Sequence, residues 1–207
     1  MPQQSQPSVS DLADAPPWSD ERLLALPGRC RGAAIGDWAA ACSRRWGPDA
    51  VRGLREAIDA DAQTLADEPN KTDWLPIHVW LRLTDAIVAR HLDGDLRRLE
   101  PMVVEDARKA AGLTAKLVAR QLGPARILGA SARIHGWLYD VGEVQAETGD
   151  NAATLRWSGA AVFGQPTWRA LQVFALRGAI ETAGGAGAAV ELLPSEEDGF
   201  TLMARWR

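Results

Sequence analysis

The chain has 207 residues, 46% of them hydrophobic, and carries a formal net charge of −4. That apolar content supplies a sizeable core, and the length fits one domain, or one domain with an appendage. The acidic balance excludes a general binder of nucleic acid or of an anionic bilayer; the absence of any apolar run of about 18 residues excludes a spanning helix.

Residues 1–18 are rich in Gln, Ser and Pro without periodicity and read as a disordered tail ahead of a single α+β domain over 19–207. No positive stretch followed by an apolar one opens the chain, so no secretory leader is expected and the protein reads as cytoplasmic. Ser19 can cap a short helix through Leu26, which Pro27-Gly28 ends. A helix over about Gly32–Trp46 puts Ile35, Trp38, Ala39 and Cys42 on one face; Gly47 stops it and Pro48 opens the next, with Val51, Leu54 and Ile58 in register. Asp59–Asp73 is acidic and polar and reads as a loop. Leu75-Pro76 starts a helix to Leu92, in which Ile77, Trp80, Leu81, Ile87 and Val88 keep helical spacing. Further helices are expected over Leu96–Ala111, Leu113–Leu122 and Ala125–Ile134, so that 19–138 is mainly helical.

From Tyr139 the period changes to two. Strands are expected at Tyr139–Thr148 and Thr154–Gly159, joined by a hairpin at Gly149-Asp150-Asn151. A helix from Pro166 to about Ala183, stopped by Gly184-Gly185, precedes strands at Ala189–Leu193 and Phe200–Trp206. In the last of these Phe200, Leu202, Ala204 and Trp206 share one face. Helices segregated from strands imply α+β with a four-stranded antiparallel sheet in 139–207. The long helix carries two apolar stripes, Trp168–Leu171–Ala175 and Val173–Leu176–Ile180, so it needs cover on two sides. The sheet supplies one cover. The helical half or a second copy supplies the other, and a homodimer touching through Ile35 to Ile58 is the expectation.

Chemistry-bearing groups are sparse. Cys30 and Cys42 lack metal-ligand spacing and read as two buried thiols. His78 and His91 lie 13 apart on one expected helix, which is no metal pair, and His135 stands alone. Gly184-Gly185-Ala186-Gly187 precedes a strand rather than a helix, so it is a turn and not a phosphate loop. No acid, base and nucleophile set assembles, so no enzyme is expected. Arg97–Arg133 holds eight cations against three acids, a local excess that could attract an acidic protein, a nucleotide or nucleic acid.

Arg31-Gly32-x-x-Ile35-x-x-Trp38, Trp46-Gly47-x-Asp49-Ala50 and the closing pattern from Leu155 through Phe174, Gly178, Val190 and Trp206 resemble a known superfamily. It joins haem nitric-oxide/oxygen-binding sensors, vinyl-reductase-like ligand-binding domains and trafficking-complex subunits. More closely, Leu75-Pro76, Trp80 and Val88-Ala89-Arg90 resemble an uncharacterised bacterial family of similar length, abundant in myxobacteria. The resemblance implies small ligands between the helical half and the sheet, where Trp80, Trp137, Tyr139, Trp157, Trp168 and Phe174 would line the space. Filled core is the ordinary alternative for such side chains. The haem sensors use a mid-chain helical histidine and a Tyr-x-Ser-x-Arg motif. Leu96–Ile134 contains no histidine, and the motif region reads Trp157-Ser158-Gly159-Ala160-Ala161, so no haem is expected. The cysteine-bearing zinc site of the vinyl-reductase-like domains is missing too, so no metal is expected. The implied function is a non-enzymatic regulatory sensor or adaptor that binds a partner protein or a small apolar ligand. The alternative is a nucleotide- or nucleic-acid-responsive regulator acting through Arg97–Arg133.

Overall fold

The structure, a computed structural model, describes residues 12–55, 70–110, 113–194 and 197–207. Most of the expected tail, most of the acidic loop within Asp59–Asp73, and Ser195-Glu196 of the last turn lie outside the described residues. The chain divides into two compact units: Pro17–Leu96 with Gly136–Val141, and Arg97–His135 with Gly142–Arg207 and the start of the chain.

In the first unit, α1 (Asp20–Leu24) starts where the Ser19 hydroxyl accepts the Arg22 backbone N–H at 3.3 Å. After β1 (Arg29–Arg31) come α2 (Gly32–Trp46) and α3 (Pro48–Arg55), separated by Gly47 at φ +88 as the sequence indicates. β2 (Trp74–Pro76) then runs straight into α4 (Ile77–His91). Ile35, Trp38, Cys42, Ile77, Trp80, Leu81 and Ile87 are buried, the faces the helical period assigns. β1 and β2 pair antiparallel with Cys30 opposite Leu75, so the strong helix starts at Ile77 rather than at Leu75. Tyr139 bridges to Cys30, and the Asp140 N–H donates to the Arg29 carbonyl at 2.9 Å. Arg29 Nε also donates to the Asp140 carboxylate at 2.7 Å. Tyr139 therefore belongs with β1 and does not start the large sheet.

In the second unit a 3-10 turn (Leu96–Arg98) leads into α5 (Leu99–Ala110), with Pro101 in its first turn where a missing N–H is harmless. α6 (Leu113–Gly129) bends at Gly123, φ +74, before Pro124, and α7 (Ser131–Leu138) follows. One helix over Ala125–Ile134 is thus replaced by the end of α6 and a new helix from Ser131. β3 (Glu143–Thr148), β4 (Ala152–Ser158), β5 (Ala189–Leu193) and β6 (Phe200–Arg205) form an antiparallel sheet in the order β3-β4-β6-β5. Register sets Leu155 opposite Leu202 and Trp157 opposite Phe200, and Leu192 also faces Leu202. These residues, with Val144, Val190 and Ala204, are buried on one face. β3 begins at Glu143 because Gly142 turns the chain at φ +58; a Cβ there would lie 2.8 Å from the Ser158 carbonyl and inside the Phe163 ring's space.

α8 (Pro166–Thr182) crosses this unit. Pro166 stands at N1, and the Gln165 side-chain oxygen accepts the Trp168 N–H at 2.6 Å. At the other end the Gly185 N–H donates to the Ile180 carbonyl at 2.9 Å and Gly184 takes φ +91, closing the helix. α8 packs on α5, α6, β5 and β6. A Cβ on Gly178 would lie 2.8 Å from that of Ala107 on α5, so the two helices touch nearly backbone to backbone. Arg177 pairs with Glu100 along the same seam. Trp168, Leu171, Val173, Phe174, Leu176 and Ile180 are all buried, whereas Ala175 is exposed and drops out of its expected stripe. α5 and α6 cover the second side, and Val173, Leu176 and Ile180 are buried within the unit.

Candidate ligand-binding site

The six aromatic residues expected to line a ligand space fall three to a unit. In the first unit, Trp80 is buried and meets Tyr139 edge-on at 6.0 Å between ring centres. Desolvation pushes the Tyr139 phenol above its ordinary range, with the neighbouring Cys30 as a second cause, and the buried Cys30 thiol is pushed up to about 12. Trp137 is 57% exposed and lines no interior space.

In the second unit Trp157, Trp168 and Phe174 are 3%, 0% and 1% exposed. Trp157 stacks on Phe200, 4.6 Å between centres and 7° between planes, a direct result of their register on β4 and β6. Phe163 meets Phe200 edge-on at 6.0 Å and Trp168 at 5.7 Å; His135 leans on Phe163 at 5.9 Å and on Trp168 at 6.5 Å. The five rings form a continuous aromatic chain from sheet to helix. Phe163, Phe200 and His135 were not among the expected lining residues. Phe200 was legible from its inward place on the last strand; Phe163 sits in a 3-10 turn (Ala161–Gly164) and His135 on α7, where no period marks them. The Trp157 indole N–H and the Gln165 amide nitrogen, both buried, find no acceptor among the described residues. Gln165 is only 1% exposed, and its oxygen is already committed to capping α8.

One cation of this unit is tied up in structure. Arg169 donates from Nε to the Phe163 carbonyl at 2.6 Å and from a terminal nitrogen to the Gly199 carbonyl at 3.0 Å, holding the two loops that carry Phe163 and Phe200. Burial lowers its pKa. Elsewhere His91 stacks on Trp46 at 4.4 Å, and desolvation lowers its pKa, with Arg90 adding to the effect. Among the described residues no three His, Cys, Asp or Glu side chains gather as a metal site, and no helix is long and apolar enough to cross a membrane.

No family model and no curated protein matches the chain. Solved structures do. The chain is similar to an Fe(II) unliganded H-NOX protein from K. algicida at 10% identity and a TM-score of 0.60, over 86% of this chain and 96% of that one. It is similar to an oxygen-binding H-NOX domain related to soluble guanylate cyclases at 8% identity and 0.59, over 86% and 95%. A variant H-NOX from T. tengcongensis matches at 10% and 0.55, over 86% and 97%. The chain therefore has an H-NOX-like α+β fold, as the resemblance implied.

The residues present do not fit a haem. α5 and α6 carry no histidine, and the one histidine of this unit, His135, is packed edge-on against Trp168. At the positions where the resemblance would place the haem sensors' tyrosine and arginine, Trp157 lies flat on Phe200 and Ala161 begins a 3-10 turn. The Arg169 guanidinium, 5.8 Å from the Phe200 ring centre, is bound to backbone carbonyls.

Proposed function

We propose that this protein is a non-enzymatic regulatory sensor or adaptor with an H-NOX-like fold, which responds to a partner protein or a small, largely apolar ligand instead of haem. One observation carries the reading: the H-NOX-like fold spans 86% of the chain, while Trp157, which the resemblance would set at the haem-sensor tyrosine, is stacked on Phe200 in an aromatic core. The Trp157 and Gln165 N–H groups without acceptors favour a ligand that brings one carbonyl or hydroxyl oxygen among its carbons. The buried Cys30 thiol and the half-buried Tyr139 phenol are both pushed away from ionisation, the reverse of an activated nucleophile or base.

The test has two arms. Haem is titrated into the purified protein, and no saturable Soret band is expected. Protein purified from its own host is then examined by native mass spectrometry before and after organic extraction. A bound small molecule or a co-purifying protein supports the reading. A stoichiometric haem complex, or turnover of a bound molecule, overturns it.

A further inference from the structure

One helix of the second unit carries an apolar face that stays exposed among the described residues. Of the side chains described on α6, only Leu128 is buried, whereas Leu117, Val118 and Leu122 are 54%, 47% and 40% exposed. At 100° per residue these three lie within an arc of about 140° on one face. Arg120, exposed, stands about 60° to one side of Leu117 with Lys116 beyond it; Ala115 and Ala119 form the other edge. α6 contains no acid, and none occurs anywhere from Arg108 to Tyr139, in a chain whose net charge is −4. Two of the three acids of α5 are engaged within the unit, Glu105 with Lys109 at 2.6 Å and Glu100 with Arg177. Lys116 and Arg120 make no ion pair among the described residues. An apolar stripe with cations along one edge and alanine along the other is the surface a helix lays into a partner, with charge fixing the partner's orientation.

Charge also decides the occupant. A second copy pairing α6 antiparallel on α6 about a two-fold axis would set cations against cations, and a parallel pair would set them against alanine, with no acid on α6 to meet them in either case. An anionic bilayer would attract this face but meet a chain of net negative charge, and α6 offers no aromatic anchor. Nucleic acid would use the cations and leave Leu117, Val118 and Leu122 facing phosphate and water. We propose that the Leu117–Val118–Leu122 face of α6 is a docking surface for an amphipathic helix of another protein, one whose apolar stripe is edged by Asp or Glu. The proposal rests on the adaptor reading above and names its partner's chemistry.

The experiment uses the whole chain and two synthetic amphipathic helical peptides with the same leucine stripe, one edged with glutamate and one with lysine. Binding is read by fluorescence anisotropy at moderate salt. The glutamate peptide should saturate and the lysine peptide should bind about tenfold more weakly or not at all. The Lys116→Glu/Arg120→Glu protein should invert that preference. Leu117→Ser/Leu122→Ser, at exposed positions, should lose both peptides while its far-UV circular dichroism stays that of the wild type. Equal binding of both peptides, binding of neither, or retention on phosphatidylglycerol vesicles or duplex DNA in place of the peptide overturns the proposal. Capture from the host separates it from the adaptor reading. If a partner retained by the wild type is retained equally by both variants, the α6 surface falls and the adaptor stands. If the peptide results hold and no host protein is retained, the α6 surface stands and the protein-partner reading falls.

Discussion

The indole N–H of Trp38 donates to the Thr84 hydroxyl at 2.6 Å, and that hydroxyl donates to the Trp80 carbonyl one helical turn back at 2.9 Å. Thr84 is fully buried and Trp38 nearly so, so the hydroxyl is the polar contact between α2 and α4 that lets a tryptophan sit in the core. Thr84→Val keeps the shape and strands the indole N–H, so it should cost about 1–3 kcal/mol in urea unfolding, and Thr84→Ser distinctly less. Equal losses for the two would mean that packing, not the hydrogen bond, holds this contact.

The α5–α8 seam depends on two small residues meeting. A methyl at position 178 would stand 2.8 Å from the Ala107 Cβ and 3.2 Å from the Val104 Cα, and backbone cannot yield as a long side chain can. Gly178→Ala should destabilise by about 1–3 kcal/mol despite the better helix propensity of alanine. In an Ala107→Gly background the same change should cost less, an interaction that a double-mutant cycle measures directly. Strict additivity would show that the helices are not limited by this approach.

Cys30 gives the pH dependence a defined sign. Burial raises its thiol from an ordinary 9.0 to about 12, so the folded state binds the proton more tightly than the unfolded chain does. Stability from this group is complete below pH 9.0 and is lost as pH rises towards about 12, with a limiting slope of about 1.4 kcal/mol per pH unit. Tyr139, raised from 10.0, extends the loss at the alkaline end. Cys30→Ala should flatten the profile from pH 9.0 upward, and a thiol reagent should label Cys30 only as fast as the protein opens. Rapid labelling at neutral pH would contradict its burial.

What was legible in the sequence follows the length over which a pattern repeats. Phe200, Leu202, Ala204 and Trp206 alternate over a whole strand, and all four are buried as expected. Pro166 and Gly184-Gly185 bound the long helix chemically, by a missing N–H and by a positive φ, so its ends are readable to within a residue. β1 and β2 are three residues each and far apart in sequence, too short for any period to declare, and only their pairing makes them strands. The break at Gly142 was hidden for a different reason: the side chain that leaves no room for a Cβ there, Phe163, lies outside the strand that begins at Glu143. The candidate site divided in the same way. Trp157 and Phe200 were readable as inward strand residues, but Phe163 and His135 enter the aromatic chain from short turns and helices that have no period of their own.

The fate of the Val173–Leu176–Ile180 stripe yields the last prediction. Ile180 is fully buried, and its Cγ2 lies 2.6 Å from where a Cβ on Gly185 would stand, so the glycine turn closes directly over it. Pro124 of α6 stands 3.0 Å from the same point, so the helix end, the turn and the bend of α6 enclose one apolar spot. Ile180→Asp puts a carboxylate there with no room for water. Burying an unpaired charge costs several kcal/mol, comparable with the whole stability of a domain this size. The variant should therefore lose its far-UV circular dichroism and aggregate, whatever the assembly state of the wild type. Ile180→Val, which only opens a methyl-sized gap, should fold and lose about 0.5–1.5 kcal/mol. Light scattering alongside circular dichroism checks the alternative: a wild-type dimer that Ile180→Asp converts to a well-folded monomer would place this residue at a contact between copies instead of in the core.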